Sequence, residues 1–407
     1  MAESNILTLK HLELDTLLDI TNAINRQQDE QSLLKIFLFT LIANFKINKL
    51  MVCSRERGSW YEILRHGLPK EFVPDVEELK AVAENFTITR FKDSELALKN
   101  EFEVSIPVGR ESRTIALILL GTTAKMGGEM NEESLKFIQT ISNIIVVAIQ
   151  NIRLTNRRLE QQAIKKEMEI ARKLQSLLFP QNLPVKENIK ITAKYIPQLI
   201  VGGDYYDYIE LNENEFIVCI ADVSGKGVGA AFIMSNLQSA LRILAKQGLR
   251  LEQIVAELNT TVYNNARGEK FVTFFIAKYM LQKDKMVYIN CGHNAPLFYN
   301  NEGNFELLDK GSVILGAFEN LPIVETGRIH GIANSVLFCY TDGLVETVEY
   351  TNTDAALEQV KQLIKDNLIP EKLNDEVLQK LKIEGENSID DITILTCALK
   401  NLEPNTK

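Results

Sequence analysis

What this chain does not contain rules out several kinds of protein. Its five cysteines (Cys53, Cys219, Cys291, Cys339, Cys397) stand singly, with no CxxC pair and no metal-ligand spacing. That excludes a disulfide framework or a zinc knuckle. Most of them lie in apolar, strand-like runs, so they read as reduced core thiols of a cytoplasmic protein. Excess positive charge is missing too: 45 Lys+Arg against 54 Asp+Glu give a net charge of −9. A nucleic-acid binder would carry a basic face. The first residues, MAESNILTLKHLELD, lack a basic start followed by an apolar run, so no signal peptide is expected. The most apolar long window, Phe137 to Leu154, is interrupted by Gln139, Asn143, Gln150 and Arg153, so no membrane span is expected either. There is no internal repeat, no low-complexity tract and no Pro/Gly-rich linker. At 407 residues the chain has room for two or three domains with full cores.

What is present centres on Gly202 to Ala231, GGDYYDYIELNENEFIVCIADVSGKGVGAA. Phe216 to Ala221 is a continuous apolar run bounded by turn residues, which fits a strand buried on both faces. It ends in Asp222, and from Val228 the spacing becomes helical. An acid at the tip of a buried strand is costly unless something neutralises it, and a divalent cation is the usual answer. The plainer alternative is that Asp222 and Ser224 shape and cap a strand-to-helix turn. Three further stretches repeat the design. Val336 to Tyr340 runs into Thr341-Asp342-Gly343-Leu344-Val345-Glu346, and Ser388-Ile389-Asp390-Asp391-Ile392-Thr393 sets two acids at the mouth of another strand. Ile289 to Pro296 turns through Gly292-His293. Acids from separate strand ends can converge into an all-oxygen cage, which suits Mg²⁺ or Mn²⁺.

GGDYYD, ADVSGKGVGAA, FVTFF, NCGHNAP, YTDGLVE and DDIT occur in this order between Gly202 and Thr393. Together they resemble the metal-dependent PPM-type serine/threonine phosphatases, in the bacterial branch typified by SpoIIE and RsbU. The likeness covers roughly Ile189 to Leu399, and its specificity lies in six ordered motifs, each weak alone. It implies two stacked antiparallel sheets with helices outside, and two ions, Mn²⁺ or Mg²⁺. It also implies roles for single residues. Asp222 matches the bridging ligand and the Val223 carbonyl completes the first ion's shell. Asp342 and Asp390 match ligands of the second ion, and Asp204 an outer acid that holds a coordinated water. Asp391 is either a further ligand or a structural neighbour, with Asp390 preferred. The Thr-Val-Glu-Tyr that follows Glu346 departs from the branch, where an Ala-Arg-Asn-like stretch is common.

Other routes to phosphoester hydrolysis lack their residues. The positions six after the cysteines are Ser59, Gly225, Leu297, Val345 and Glu403, so no Cys-plus-Arg loop exists. There is no DxD, and Gly225-Lys226 is followed by Gly227, so no P-loop forms. Metal activation of water remains. His293 is either a general acid or a structural residue of the Gly292 turn, with the second preferred. Asp207 is read as a backbone partner, and Lys226 as a surface residue or a phosphate contact.

The N-terminal portion has two helical patterns over Leu7 to Phe45 and strands at Lys49–Ser54, Trp60–Arg65, Glu103–Val108 and Thr114–Leu120. By this pattern and its place before a phosphatase it resembles a GAF domain, with an unlocated small-molecule pocket or a purely dimerising role as the two readings. A long helix follows, with Asn131 as its cap. Ile138, Ile141, Ile145, Ala148, Ile152, Thr155 and Leu159 fall at heptad spacing, the pattern fails at Gln162 and Lys166, and Ile170, Leu174, Leu177 and Leu178 form a second stripe. That predicts a parallel homodimer and a helix whose second stripe packs on the phosphatase core; the plainer alternative is a single helix packed on the N-terminal domain.

The expectation is therefore an α+β protein with three parts: a GAF-like regulatory domain over 1–135, a coiled-coil and regulatory helix over 136–182, and a PPM-type phosphatase αββα sandwich over 183–402. Its function would be hydrolysis of phosphoserine or phosphothreonine on a bacterial signalling protein, typically an anti-sigma-factor antagonist. The alternatives are an inactive phosphatase-like scaffold and a hydrolase of small phosphoesters.

Overall fold

The computed structural model describes residues 2–56, 58–84, 86–92, 94–110, 113–122, 131–346, 353–366, 370–383 and 389–400. Ser388, the Thr347–Tyr350 stretch and residues 401–402 of the expected C-terminal boundary lie outside the described residues. The chain divides into two compact units at Ala163/Ile164.

In the first unit, helices α1 (Ala2–Asn25) and α2 (Glu30–Phe45) precede strands β1 (Ile47–Glu56) and β2 (Ser59–His66). Asp29 starts α2 by accepting the Ser32 N–H at 2.7 Å. Helix α3 (Val76–Glu84) and strands β3 (Thr89–Arg90), β4 (Val104–Arg110) and β5 (Arg113–Thr122) follow, then helix α4 (Glu132–Ser176). The strands form one antiparallel sheet in the order β2-β1-β5-β4-β3. Alternate residues of β1 and β5 serve opposite faces, as the two-residue period of a strand requires. Leu50, Val52, Ile118 and Leu120 pack with α1, α2 and α4; Met51, Cys53, Leu117 and Leu119 pack with α3.

Asn131 caps α4, accepting the Ser134 N–H at 2.7 Å. Its heptad residues Ile138, Ile141, Ile145 and Ala148 are buried inside this unit's own core, with Ile152 against its edge. A repeat that could serve a partner helix serves the sheet instead. Arg153 fixes the same stretch by ion pairs to Glu30 and to Glu56 (2.6 Å), and Arg157 adds a second bond to Glu56 at 2.8 Å.

The second unit contains β6 (Ile189–Ile196), β7 (Tyr205–Asn212), β8 (Glu215–Val223), α5 (Val228–Ala245), α6 (Leu251–Ala266), β9 (Val272–Met280) and β10 (Lys285–Cys291). Short strands β11 (Leu297–Tyr299), β12 (Phe305–Leu307), β13 (Gly311–Ser312) and β14 (Gly327–His330) lead to β15 (Val336–Tyr340). Helices α7 (Gly343–Glu346), α8 (Thr353–Asp366) and α9 (Pro370–Lys380) and strand β16 (Ile392–Leu399) complete it. One sheet runs β13-β10-β9-β8-β7, with β14 also on β10; the other runs β12-β11-β15-β16-β6. Every pairing is antiparallel except β10 with β13.

Phe216, Val218, Phe275 and Tyr279 of the first sheet meet Ile191, Leu337, Leu395 and Cys397 of the second. The opposite faces carry α5 and α6 on one side and α7, α8 and α9 on the other. This is the expected αββα sandwich, and β8 is buried on both faces as its unbroken apolar run requires. Helices α4 and α5 each contain a window long and apolar enough to cross a membrane. Part of their apolar surface, including Ile141 and Ile145 of α4 and Met234 and Leu237 of α5, is used in the cores of the two units.

The second stripe meets the expectation only at its end. Ile170, Leu174 and Leu177 are exposed, while Leu178, just past the end of α4, packs with Phe179 on the second unit's core. The Phe179 ring lies 5.0 Å from those of both Tyr195 and Tyr206.

Candidate metal centre

Four backbone segments bring the acids together. Asp204 precedes β7, Asp222 lies near the end of β8, Asp342 follows β15 and Asp390 and Asp391 precede β16. In the second sheet β15 and β16 are hydrogen-bonded neighbours, so Asp342 and Asp390 emerge side by side. β8 brings Asp222 opposite Thr273 of β9. The turn after Asp222 is held by Ser224, whose N–H donates to the Phe271 carbonyl (2.8 Å) and whose Oγ accepts the Phe271 N–H (2.9 Å). Gly225 and Gly227 have φ of 82° and 75°, a region open to glycine, and Gly227 then starts α5.

Asp204 is 1 % exposed, and its Oδ2 accepts the hydroxyls of Thr341 (2.9 Å) and Thr393 (2.6 Å). Burial, and next the charge of Asp222, push its carboxyl well above the usual carboxylate range. Burial together with the charges of Asp342 and Asp390 pushes Asp222 to about 7, while a hydrogen bond with Asp204 pulls the other way. Asp342 is raised by burial, then by Glu346 and Asp390. Carboxylates that raise one another in this way share a small space. The Val223 carbonyl faces the same region, since a Cβ on Gly203 would lie 2.8 Å from it.

Asp391 lies near enough for its charge to raise Asp204 and Asp222, yet its oxygens are taken by backbone N–H groups. Its Oδ1 accepts the Gln198 N–H and its Oδ2 the Gly203 N–H, both at 2.8 Å. Of the two readings of Asp391, the structural one matches this geometry: both oxygens are committed to the backbone that carries Asp204. Asp390 keeps one oxygen on the Asp391 N–H (2.8 Å), and its Oδ2 lies 3.2 Å from the Lys226 ammonium. Lys226 also donates to Gln198 Oε1 (2.6 Å) and to the Ile389 carbonyl (2.7 Å).

Among the described residues no three acids close on one point as a ready-made cage. The donor set is nonetheless all oxygen, and the acids raise one another, so the residues fit hard divalent cations. Asp222, Asp342 and Asp390 would hold them, with the Val223 carbonyl, and Asp204 would stand behind.

Two motif residues have other uses. Asp207, fully buried, accepts two bonds from Arg242 (2.7 and 3.1 Å), one from the Tyr205 hydroxyl and one from the Tyr208 N–H (2.8 Å). His293 is buried; its N–H donates to Asn290 Oδ1 (2.7 Å) and its Nδ1 lies 2.8 Å from Thr273 Oγ1. Burial holds its imidazole down at about 4, so it is neutral at pH 7. Thr341, Thr393 and Gln198 were not singled out from the sequence. The two threonines do belong to the YTDG and DDIT motifs, where a hydroxyl beside each acid was the available signal.

This sandwich, with acids gathered at neighbouring strand ends, is a PP2C-type phosphatase fold. It superposes on the SiaA-PP2C domain of Pseudomonas aeruginosa with a TM-score of 0.50 and 16% identity, covering 59% of this chain and 98% of that one. Residues 212–400 match the family described as Stage II sporulation protein E (SpoIIE). The chain is 31% identical over 187 residues to the phosphoserine phosphatase RsbU of Bacillus subtilis, covering 46% of this chain and 55% of RsbU. Over 186 residues it is 26% identical to the phosphoserine phosphatase RsbP of the same organism, covering 45% of this chain and 46% of RsbP. The chain thus spans about half the length of these curated relatives.

Proposed function

We propose that the protein is a divalent-metal-dependent phosphoprotein phosphatase that removes phosphate from phosphoserine or phosphothreonine of a bacterial signalling protein in the cytoplasm. The observation that carries this is the convergence of Asp204, Asp222, Asp342 and Asp390 from separate strand ends into one electrostatically coupled group. It sits in a domain whose relatives are named phosphoserine phosphatases. By the same likeness the substrate is an anti-sigma-factor antagonist, and two ions, Mn²⁺ or Mg²⁺, serve the site.

Bound divalent cations supply Lewis acidity, acidifying water and neutralising charge on the phosphoryl oxygens. The chain's own residues prepare the ground. Asp222, Asp342 and Asp390 give the negative field that would attract cations, and Asp222, raised by its neighbours, would give up its proton to serve as a ligand while Asp204 stays behind it. Thr341 and Thr393 fix Asp204 Oδ2, which aims the rest of its carboxyl at Asp222 and orients water for in-line attack.

The N-terminal unit is a GAF-like regulatory module in this reading, supported by its single antiparallel sheet packed with helices on both faces. In this reading the dimer rests on exposed Leu159 and Ile170 of α4 and on Leu177 just beyond it, not on Ile138 and Ile145, which the core uses. Light scattering on Leu159→Glu/Leu177→Glu tests it: a dimeric wild type and a monomeric variant are expected, and a monomeric wild type removes the claim.

The function is tested by release of phosphate from phosphoserine- and phosphotyrosine-bearing proteins and from free phosphorylated metabolites, with Mn²⁺ and with excess chelator. Mn²⁺-dependent turnover of the phosphoserine protein is expected. Preference for metabolites would favour the small-phosphoester reading, and no turnover at all the scaffold reading.

A further inference from the structure

The segment that carries Asp204 is gripped by one side chain of α4. Gln175 is 6 % exposed; its Nε2 donates to the Gly202 carbonyl at 2.7 Å, and its Oε1 accepts the Gly202 N–H at 3.2 Å. A single amide thus takes both backbone hydrogen-bonding groups of one residue. Gly203, next in the chain, gives its N–H to Asp391 at 2.8 Å, and Asp204 follows directly.

On the other side there is no slack. A Cβ at Gly202 would lie 2.1 Å from Asp391 Oδ2 and 2.2 Å from the Tyr195 hydroxyl. The Gly202-Gly203 backbone is therefore clamped between Gln175 and the Asp391 carboxylate, and the height of that clamp sets where the Asp204 carboxyl meets Asp222. A second buried amide, Gln238, also holds the end of this helical segment, donating to the Leu178 carbonyl at 3.2 Å. Its hydrogen bonds with the Leu178 carbonyl and the Ser239 hydroxyl do not involve the two glycines.

We infer that Gln175 is a positioning residue for the metal centre: it sets the Gly202–Asp204 backbone, and through it the geometry of the Asp204/Asp222 pair. This rests on the two-cation reading above. Without Gln175 the buried Gly202 N–H and carbonyl lose their partners, and the segment must shift or admit water to satisfy them. A ligand set displaced in this way holds its cation less well, the effect seen when groups that orient metal ligands are removed.

The test compares Gln175→Ala, Gln175→Glu and Gln238→Ala in the full chain. Mn²⁺ binding is followed by calorimetry, and kcat and KM are measured with p-nitrophenyl phosphate well below the melting temperature. Gln175→Ala is expected to weaken Mn²⁺ binding about tenfold and to lower kcat with KM little changed. Hydrogen exchange at the Gly202 and Gly203 amides should speed up. Gln175→Glu, which keeps the acceptor and loses the Nε2 donor, falls between it and wild type. Gln238→Ala lowers the melting temperature and leaves Mn²⁺ affinity at the wild-type value.

Wild-type Mn²⁺ affinity in Gln175→Ala overturns the inference, as does an equal loss in Gln238→Ala, which would make Gln175 a general helix tie. Should the alanine variant not fold, Gln175→Glu decides alone, and unchanged affinity in it overturns the inference. A wild type that binds no Mn²⁺ overturns both the inference and the metal reading beneath it.

Discussion

Asp204 and Asp207 stand three residues apart in one motif, both almost wholly buried, and the fold treats them in opposite ways. Asp207 is met by the Arg242 guanidinium on α5, by the Tyr205 hydroxyl and by a backbone N–H, so its charge is balanced inside the protein. Asp204 is given only two hydroxyls and faces another acid. A buried carboxylate supplied with its own cation is a structural joint. On the proposed metal reading, one that faces more acids is left for a cation from outside.

The contrast is broken most severely at Asp222. Asp222→Asn is expected to lower phosphatase turnover by about 10³-fold, as removal of a central electrostatic group does. The metal-free fold should persist with equal or higher stability, because a repelling charge has gone. A phosphatase assay and a denaturant melt check the two halves. Retained turnover would sink the ligand assignment.

Asp207→Ala should do the reverse, destabilising the second unit by about 3 kcal/mol because the buried Tyr205 hydroxyl and Tyr208 N–H lose their acceptor. Mn²⁺ affinity of the folded fraction should stay near wild type. Loss of metal binding without loss of stability would place Asp207 in the wrong class.

The smallest effect is on pH dependence. Asp204 and Asp222 titrate above their unfolded values, Asp222 at about 7, so between pH 5 and 7.5 the folded state binds more protons than the unfolded one. Their contribution is fully present below pH ~4 and is lost as the pH rises through 7. Metal-free protein should therefore become easier to unfold by urea from pH 5 to 7.5. Asp222→Asn should flatten that slope, and added Mn²⁺ should offset it. A slope unchanged in Asp222→Asn would mean that the two carboxyls are not coupled.

Much of the sandwich was legible because its strands are long and apolar. β6, β8, β9 and β16 announce themselves by runs such as FIVCIA and ITILTCAL. β11 to β14 have two to four residues and no period to read, so one edge of each sheet was missed. The acids were legible from their places at strand ends. Their environments were not: a partner such as Arg242, 35 residues from Asp207, leaves no local mark. The α4 seam shows the same limit. A heptad repeat states that one helix face is apolar, and a sheet satisfies that face as well as a second helix does.

The five thiols, each walled into a core, also give the molecule built-in clocks. Burial pushes Cys53, Cys291 and Cys397 up to about 12, and raises Cys219 and Cys339 well above the usual thiol range. Folded, none presents a thiolate to an alkylating reagent at neutral pH. Cys53 lies in the first unit and the other four in the second, so each alkylation event dates an opening of one unit. Mass spectrometry of timed labelling would read how often each half breathes, residue by residue, without a single substitution.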